Sequence, residues 1–202
     1  MVIGITGNFG CGKTTVAHMF YRLGTKLIDA DKIAHAIIKP NTPIYRQIIA
    51  CFGKRVLAGD YISRGRLAEI AFSDKKKLSK LNRITHPKIK KIIKSKIKNS
   101  SKDDILVIDA ALLIESGILP WVDKLVVVKS KPKIQLLRLK KGGLAYNDIK
   151  RRLGFQSAQD EKIRLADFII DNSARMTATE RQVRDVWRKI SEDITYGARR
   201  AT

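Results

Sequence analysis

Residues Gly7, Asn8, Phe9, Gly10, Cys11, Gly12, Lys13 and Thr14 fit the spacing G-x-x-x-x-G-K-[ST] without a mismatch. That spacing suits a polyphosphate. Glycines let the backbone curl until its N–H groups point at phosphate oxygens. A helix opening just after them adds the positive end of its dipole. Lys13 can reach the β- and γ-phosphates, and the Thr14 hydroxyl can ligate Mg²⁺. The pattern alone is loose, but its context is specific. Residues 2–6 are short, apolar and β-branched, the composition of a buried strand. From Thr14 onward Val16, Met19, Phe20 and Leu23 share one helical face. The segment Gly7 to Thr15 is therefore read as an ATP site, and the chain as one that moves the terminal phosphate to a small acceptor.

Such a transfer needs a group to take the acceptor's proton. Asp29-Ala30-Asp31 ends a second short strand at residues 26–28. In a parallel α/β sheet this edge carries the ligand, on the same side as the phosphate loop. One of the carboxylates can cap the helix that follows. The other can accept a proton from an attacking hydroxyl, and Asp31 is favoured as that base. Asp109 follows four apolar residues and has the place of a Walker B aspartate; a plain strand-end Asp fits equally well.

Cations are abundant. Between Lys75 and Lys102 there are 12 Lys and Arg and no Asp or Glu. Isoleucines fall on one face of that helical stretch and lysines on the other, giving a solvated basic face or a surface that steers a polyphosphate. Few aromatics interleave with the charge and no nucleic-acid module is recognisable, so no nucleic-acid partner is expected. Arg138, Lys140, Lys141, Arg151 and Arg152 flank Gly142-Gly143, as in a lid that closes over phosphate or in a plain basic hairpin. Cys11 sits in the phosphate loop beside a lysine and before a helix. Both neighbours lower a thiol pKa; two plain reduced thiols are the default reading, and a modifiable thiol at Cys11, with no catalytic base for it, is the alternative.

The elements that must hold these residues follow from pattern. Strand, loop, helix and strand within the first thirty residues make a βαβ unit and imply a parallel sheet. Thr42-Pro43 is a helix start. From Ser63 to Lys98 helical spacing persists without a strand signal, which predicts a helical insert. Strands are expected again at 105–108, 125–128 and 166–170. Short helices are expected at 133–139 and 147–153. Thr177 with Glu180 reads as a capping box that opens a closing helix.

The bulk numbers agree with one compact α/β chain. The 202 residues are 44% hydrophobic and 30% charged, ordinary for a globular protein. No stretch approaches the ~20 apolar residues of a membrane helix, and no leader pattern is visible. Two cysteines make no disulfide framework. A cytoplasmic protein is expected, with no membrane partner. The net charge of +22 suits a polyanionic ligand.

Several motifs in order resemble the dephospho-coenzyme A kinase family. They are Gly4 to Thr14, Asp29-Ala30-Asp31-Lys32-Ile33-Ala34-His35, Gly59 to Arg64, Thr85-His86-Pro87, Leu112-Leu113-Ile114-Glu115, Arg152 with Gln156, and Ala166-Asp167 with Ile170-Asp171-Asn172. The resemblance implies a P-loop core of nucleoside-monophosphate-kinase type with a five-stranded parallel sheet at about 1–40, 104–130 and 154–202. It also implies a helical substrate-binding insert at about 41–103 and a lid at about 131–153. The implied partners are ATP, Mg²⁺ and dephospho-CoA, and the implied state is a monomer or weak homo-oligomer. By resemblance Asp31 is the base, and Lys13 and Arg138 stabilise the transferring phosphoryl group. Arg152 and Asn172 to Ala174 border the adenine of ATP, and Arg64 and His86 lie near the acceptor. Gly142 stands where relatives often carry a second lid arginine, leaving Lys140 or Lys141 to supply that charge. Ala111 stands where they usually have proline.

Overall fold

A computed structural model describes residues 1–156 and 159–200. Five strands form one parallel sheet: β1 (Val2–Thr6), β2 (Lys26–Asp29), β5 (Leu106–Asp109), β6 (Lys124–Lys129) and β7 (Phe168–Asp171). Their order across the sheet is β2-β5-β1-β6-β7. The three inner strands read as continuous apolar runs because helices cover both faces. Alternation splits those runs between two cores. Ile3, Ile5, Val107, Val126 and Val128 face helix α1 (Lys13–Arg22) and helix α9 (Met176–Arg200). Val2, Leu106, Ile108, Leu125 and Val127 face the other way, toward helices α2 (Ala30–Ile37), α3 (Pro43–Phe52), α4 (Arg64–Ala71) and α5 (Lys75–Lys98). Gly4 lies on that second face because a methyl there would come within 2.8 Å of Leu113 Cδ1.

The register sets the chemistry at one edge. Ile5 of β1 and Asp29 of β2 both pair with Asp109 of β5. The C-terminal strand ends thus bring Asp29, Asp109 and the loop after β1 together. β1 is also where connections leave in opposite directions along the sheet, the position at which open α/β sheets bind ligands.

Just before the helical stretch from Ser63 lies a small antiparallel hairpin, β3 (Leu57–Ala58) with β4 (Tyr61–Ile62). Two-residue strands are too short for a period of two to register. The start at Thr42-Pro43 is as expected: the Thr42 hydroxyl accepts from the Tyr45 N–H at 3.1 Å. α5 runs unbroken through Pro87 and packs on α2, α3 and α4. The two short helices expected here are α6 (Pro132–Lys141) and α7 (Tyr146–Leu153), packed together with Lys140 over the Tyr146 ring at 5.7 Å. A further helix, α8 (Gln159–Arg164), was not foreseen.

Two expectations shift. The last strand begins at Phe168 rather than Ala166, because the Asp167 N–H only closes onto the Leu125 carbonyl at the strand entrance. The closing helix begins at Met176, so Thr177 lies inside its first turn and is not its cap. Gln182 reaches back instead: its amide accepts from the Asp171 N–H and donates to the Asp171 carbonyl, both at 2.9 Å. Residues 201–202 lie outside the described residues.

Candidate active site

The phosphate loop joins β1 to α1 and is held open from behind. Gly12 is the cap of α1 with φ +88°, a left-handed conformation that favours glycine. It also has no room for a side chain, since a methyl would overlap Asn172 Nδ2. That amide donates to the Cys11 carbonyl at 2.9 Å, while its oxygen accepts from the Thr179 hydroxyl at 2.9 Å. Arg138 of α6 donates to the Cys11 carbonyl at 3.4 Å and to the Asn172 carbonyl at 2.8 Å. The Phe9 N–H donates to Gln156 Oε1 at 2.8 Å. The Cys11 carbonyl is thereby held by two side-chain donors, and the loop closes on itself where the Cys11 N–H donates to the Asn8 carbonyl at 3.1 Å.

Lys13 is 9% exposed and has no hydrogen-bond partner among the described residues. A buried ammonium without hydrogen bonds is costly; the charge of Asp109 offsets part of that cost, and a ligand's phosphates would offset more. The Thr14 hydroxyl donates to Asp109 Oδ2 at 2.7 Å, and the other oxygen of that carboxylate is buried without a partner. Burial raises the Asp109 pKa, and the Thr14 bond and Lys13 offset this in part. Thr15 follows on the exposed first turn of α1.

The two acidic residues after β2 divide their roles. Asp29 caps α2, accepting from the Lys32 N–H at 2.8 Å. Asp31 is exposed at the mouth of a cavity of about 440 Å³. Lys13, Arg64, His86, Arg152 and Glu115 line the same space. Arg64 is held against the ring nitrogens of His35 at 3.1–3.2 Å. The pKa of His86 is lowered, first by burial and then by Lys90, while Glu115 opposes both. Its imidazole is therefore neutral near pH 7. The Arg152 guanidinium lies between the rings of Phe9 (5.4 Å) and Phe72 (5.7 Å).

The fold thus brings Lys13, Asp31, Arg64, His86 and Arg152 to one cavity. Asn172 supports the loop with its side chain, and Ala174 is exposed beyond it. Sequence reasoning missed the Phe72 partner of Arg152 and gave Gln156 no task. Both lie far from the loop in sequence and meet it only through the fold. Lys141 is exposed in the last turn of α6, and Gly142 caps that helix.

Cys11 corrects an expectation. It is fully buried, and burial raises its thiol pKa more than Lys13 lowers it. Alkylation of the native protein near pH 7 should label the exposed Cys51 and spare Cys11 until the chain is unfolded. Peptide mapping of labelled protein checks this; native-state labelling of Cys11 would contradict it.

The family model described as Dephospho-CoA kinase matches residues 1–178. The chain belongs to the dephospho-CoA kinase family. A dephospho-CoA kinase of Aquifex aeolicus is 40% identical over 192 residues, covering 95% of this chain and 98% of the relative. The solved structure of the dephospho-CoA kinase from Campylobacter jejuni superposes with a TM-score of 0.68 at 31% identity, covering 95% of this chain and 98% of the other. The structure of TT1252 from Thermus thermophilus reaches a TM-score of 0.77 at 24% identity, covering 94% and 97%, and speaks to the fold. The dephospho-CoA kinase assignment agrees with a P-loop kinase core in a five-stranded parallel sheet.

Proposed function

We propose that this chain transfers the γ-phosphate of ATP to the ribose 3′-hydroxyl of dephospho-CoA, giving CoA and ADP. One observation carries the reading: the phosphate-loop Lys13 and the exposed Asp31 line a single cavity. A donor phosphate and an acceptor hydroxyl bound there would lie side by side.

Asp31 takes the proton of the 3′-hydroxyl as that oxygen attacks the γ-phosphorus. The new bond is O3′–P; the bond that breaks joins the γ-phosphorus to the β,γ-bridging oxygen, and its electrons leave with ADP. Asp29 is committed to its cap, which supports Asp31 as the base. Lys13 balances charge on the β- and γ-phosphates, and Arg138 can turn from the loop carbonyls onto the moving phosphoryl group. Arg152, and the backbone from Asn172 to Ala174, border the nucleotide. Arg64 and neutral His86 hold the acceptor, with residues 41–103 as its wall and 131–153 as the lid.

Mg²⁺ fits the Thr14–Asp109 pair, because the orphaned Asp109 oxygen is a hard ligand beside a hydroxyl on the phosphate loop. When bound there the ion neutralises developing charge on the β- and γ-oxygens. A site completed within one chain supports a monomer or weak homo-oligomer. Two free thiols support a reducing, cytoplasmic setting. Among the described residues no helix is long and apolar enough to cross a membrane.

ADP formation should be followed with ATP and Mg²⁺ alone, with dephospho-CoA, and with adenosine. Turnover that requires dephospho-CoA is expected. Turnover with adenosine only would overturn the acceptor assignment.

A further inference from the structure

Lys162 of α8 is fully buried, although a lysine rarely is. It lies on no part of the transfer path described above. Its ammonium donates to the Ala111 carbonyl at 3.1 Å and pairs with Glu115 Oε1 at 3.1 Å. The Thr6 hydroxyl, at the end of β1, donates to the same Ala111 carbonyl at 3.3 Å. Ala111 and Glu115 belong to the connection from β5 to β6, and both line the acceptor cavity. Around Ala111 and Glu115 this connection has no proline, its Pro120 coming later, so bonds hold that part of its course. Within it, the Ser116 N–H bonds back to the Leu112 carbonyl at 2.8 Å, and the Ile118 N–H to that of Leu113 at 3.1 Å.

We propose that Lys162 is the positioning residue of the acceptor pocket: its buried ammonium fixes the Ala111 carbonyl and the Glu115 carboxylate, and so sets the wall against which dephospho-CoA is held. The cost of burying an ammonium is met only if its partners stay in place. That coupling makes Lys162 a rigid strut between α8 and the pocket wall. Glu115, with its side chain 22% exposed, then keeps its carboxylate fixed in the wall of the cavity. The phosphate loop is held by other bonds, to Asn172, Arg138 and Gln156, none of which Lys162 makes.

The inference rests on the reading that this cavity takes dephospho-CoA. Lys162→Met keeps the length of the side chain and removes the charge. It is expected to raise KM for dephospho-CoA about tenfold or more and to leave KM for ATP within about twofold. Breaking a buried pair also destabilises, so the double variant Lys162→Met with Glu115→Gln is measured beside it. That double variant removes both charges; its Tm should return toward wild type while KM for dephospho-CoA stays high. Recovery of KM along with Tm, or equal rises in both KM values, would show that Lys162 only stabilises the fold and would overturn the proposal. An unchanged KM in either variant would overturn it too. Wild-type enzyme runs in parallel: if it fails to use dephospho-CoA, the substrate reading falls, whatever the variants do.

Discussion

Asp31→Asn is expected to lower kcat by about 10²–10⁴-fold, the range lost with a positioned general base. The argument is local. Asn has nearly the same shape and cannot accept the hydroxyl proton. The helix that carries residue 31 is capped by Asp29, so the substitution leaves its start intact. Asp31 has no hydrogen-bond partner among the described residues that the change would strand. KM for ATP and dephospho-CoA should therefore move little, and Tm should stay within a few degrees. Steady-state kinetics with a coupled ADP readout measures this. A kcat within threefold of wild type would remove Asp31 from proton transfer.

Lys13→Ala should cost about 10³-fold or more in kcat/KM, since the lost charge acts on the phosphates in the ground state and more strongly in the transition state. The fold should not suffer. The residue is 9% exposed and its ammonium makes no hydrogen bond among the described residues, only a charge interaction with Asp109, so its removal strands no hydrogen-bond partner. The expected signature is thus an enzyme with unimpaired Tm and no catalysis. ATP should raise the Tm of wild type by linkage and fail to do so in the variant. Retained turnover, or an undiminished ATP-induced Tm shift, would contradict a phosphate role for Lys13.

Much of this was legible because the residues that carry it are contiguous. The phosphate loop occupies eight successive residues between a strand and a helix, and each residue type has its own reason to be there. The inner strands announce themselves as unbroken apolar runs because both of their faces are covered. What stayed hidden depends on distance or depth. Asp29 and Asp31 look alike in sequence; only the helix start at Ala30 makes the first a cap and frees the second. Cys11 misled for a related reason. Its sequence neighbours lower a thiol pKa, but its place beneath the loop in the α1-side core raises it further than they lower it. Thr177 and Glu180 have the spacing of a capping box, yet the helix begins at Met176, two residues before the start that spacing implies, with Gln182 bonded back to Asp171. Lys162, between Glu161 and Ile163 in a charged stretch, reads as a solvent-facing lysine. Nothing local reports that Ala111 and Glu115, some fifty residues away, enclose it.

The central claim is that one bond forms, between the γ-phosphorus of ATP and the ribose 3′-oxygen of dephospho-CoA. Phosphorus NMR of the product of a complete reaction tests it directly. The account predicts a single new phosphomonoester signal coupled to the 3′ ribose proton, appearing in step with ADP. A signal coupled to the 2′ proton, or inorganic phosphate released with no new ester, would contradict it.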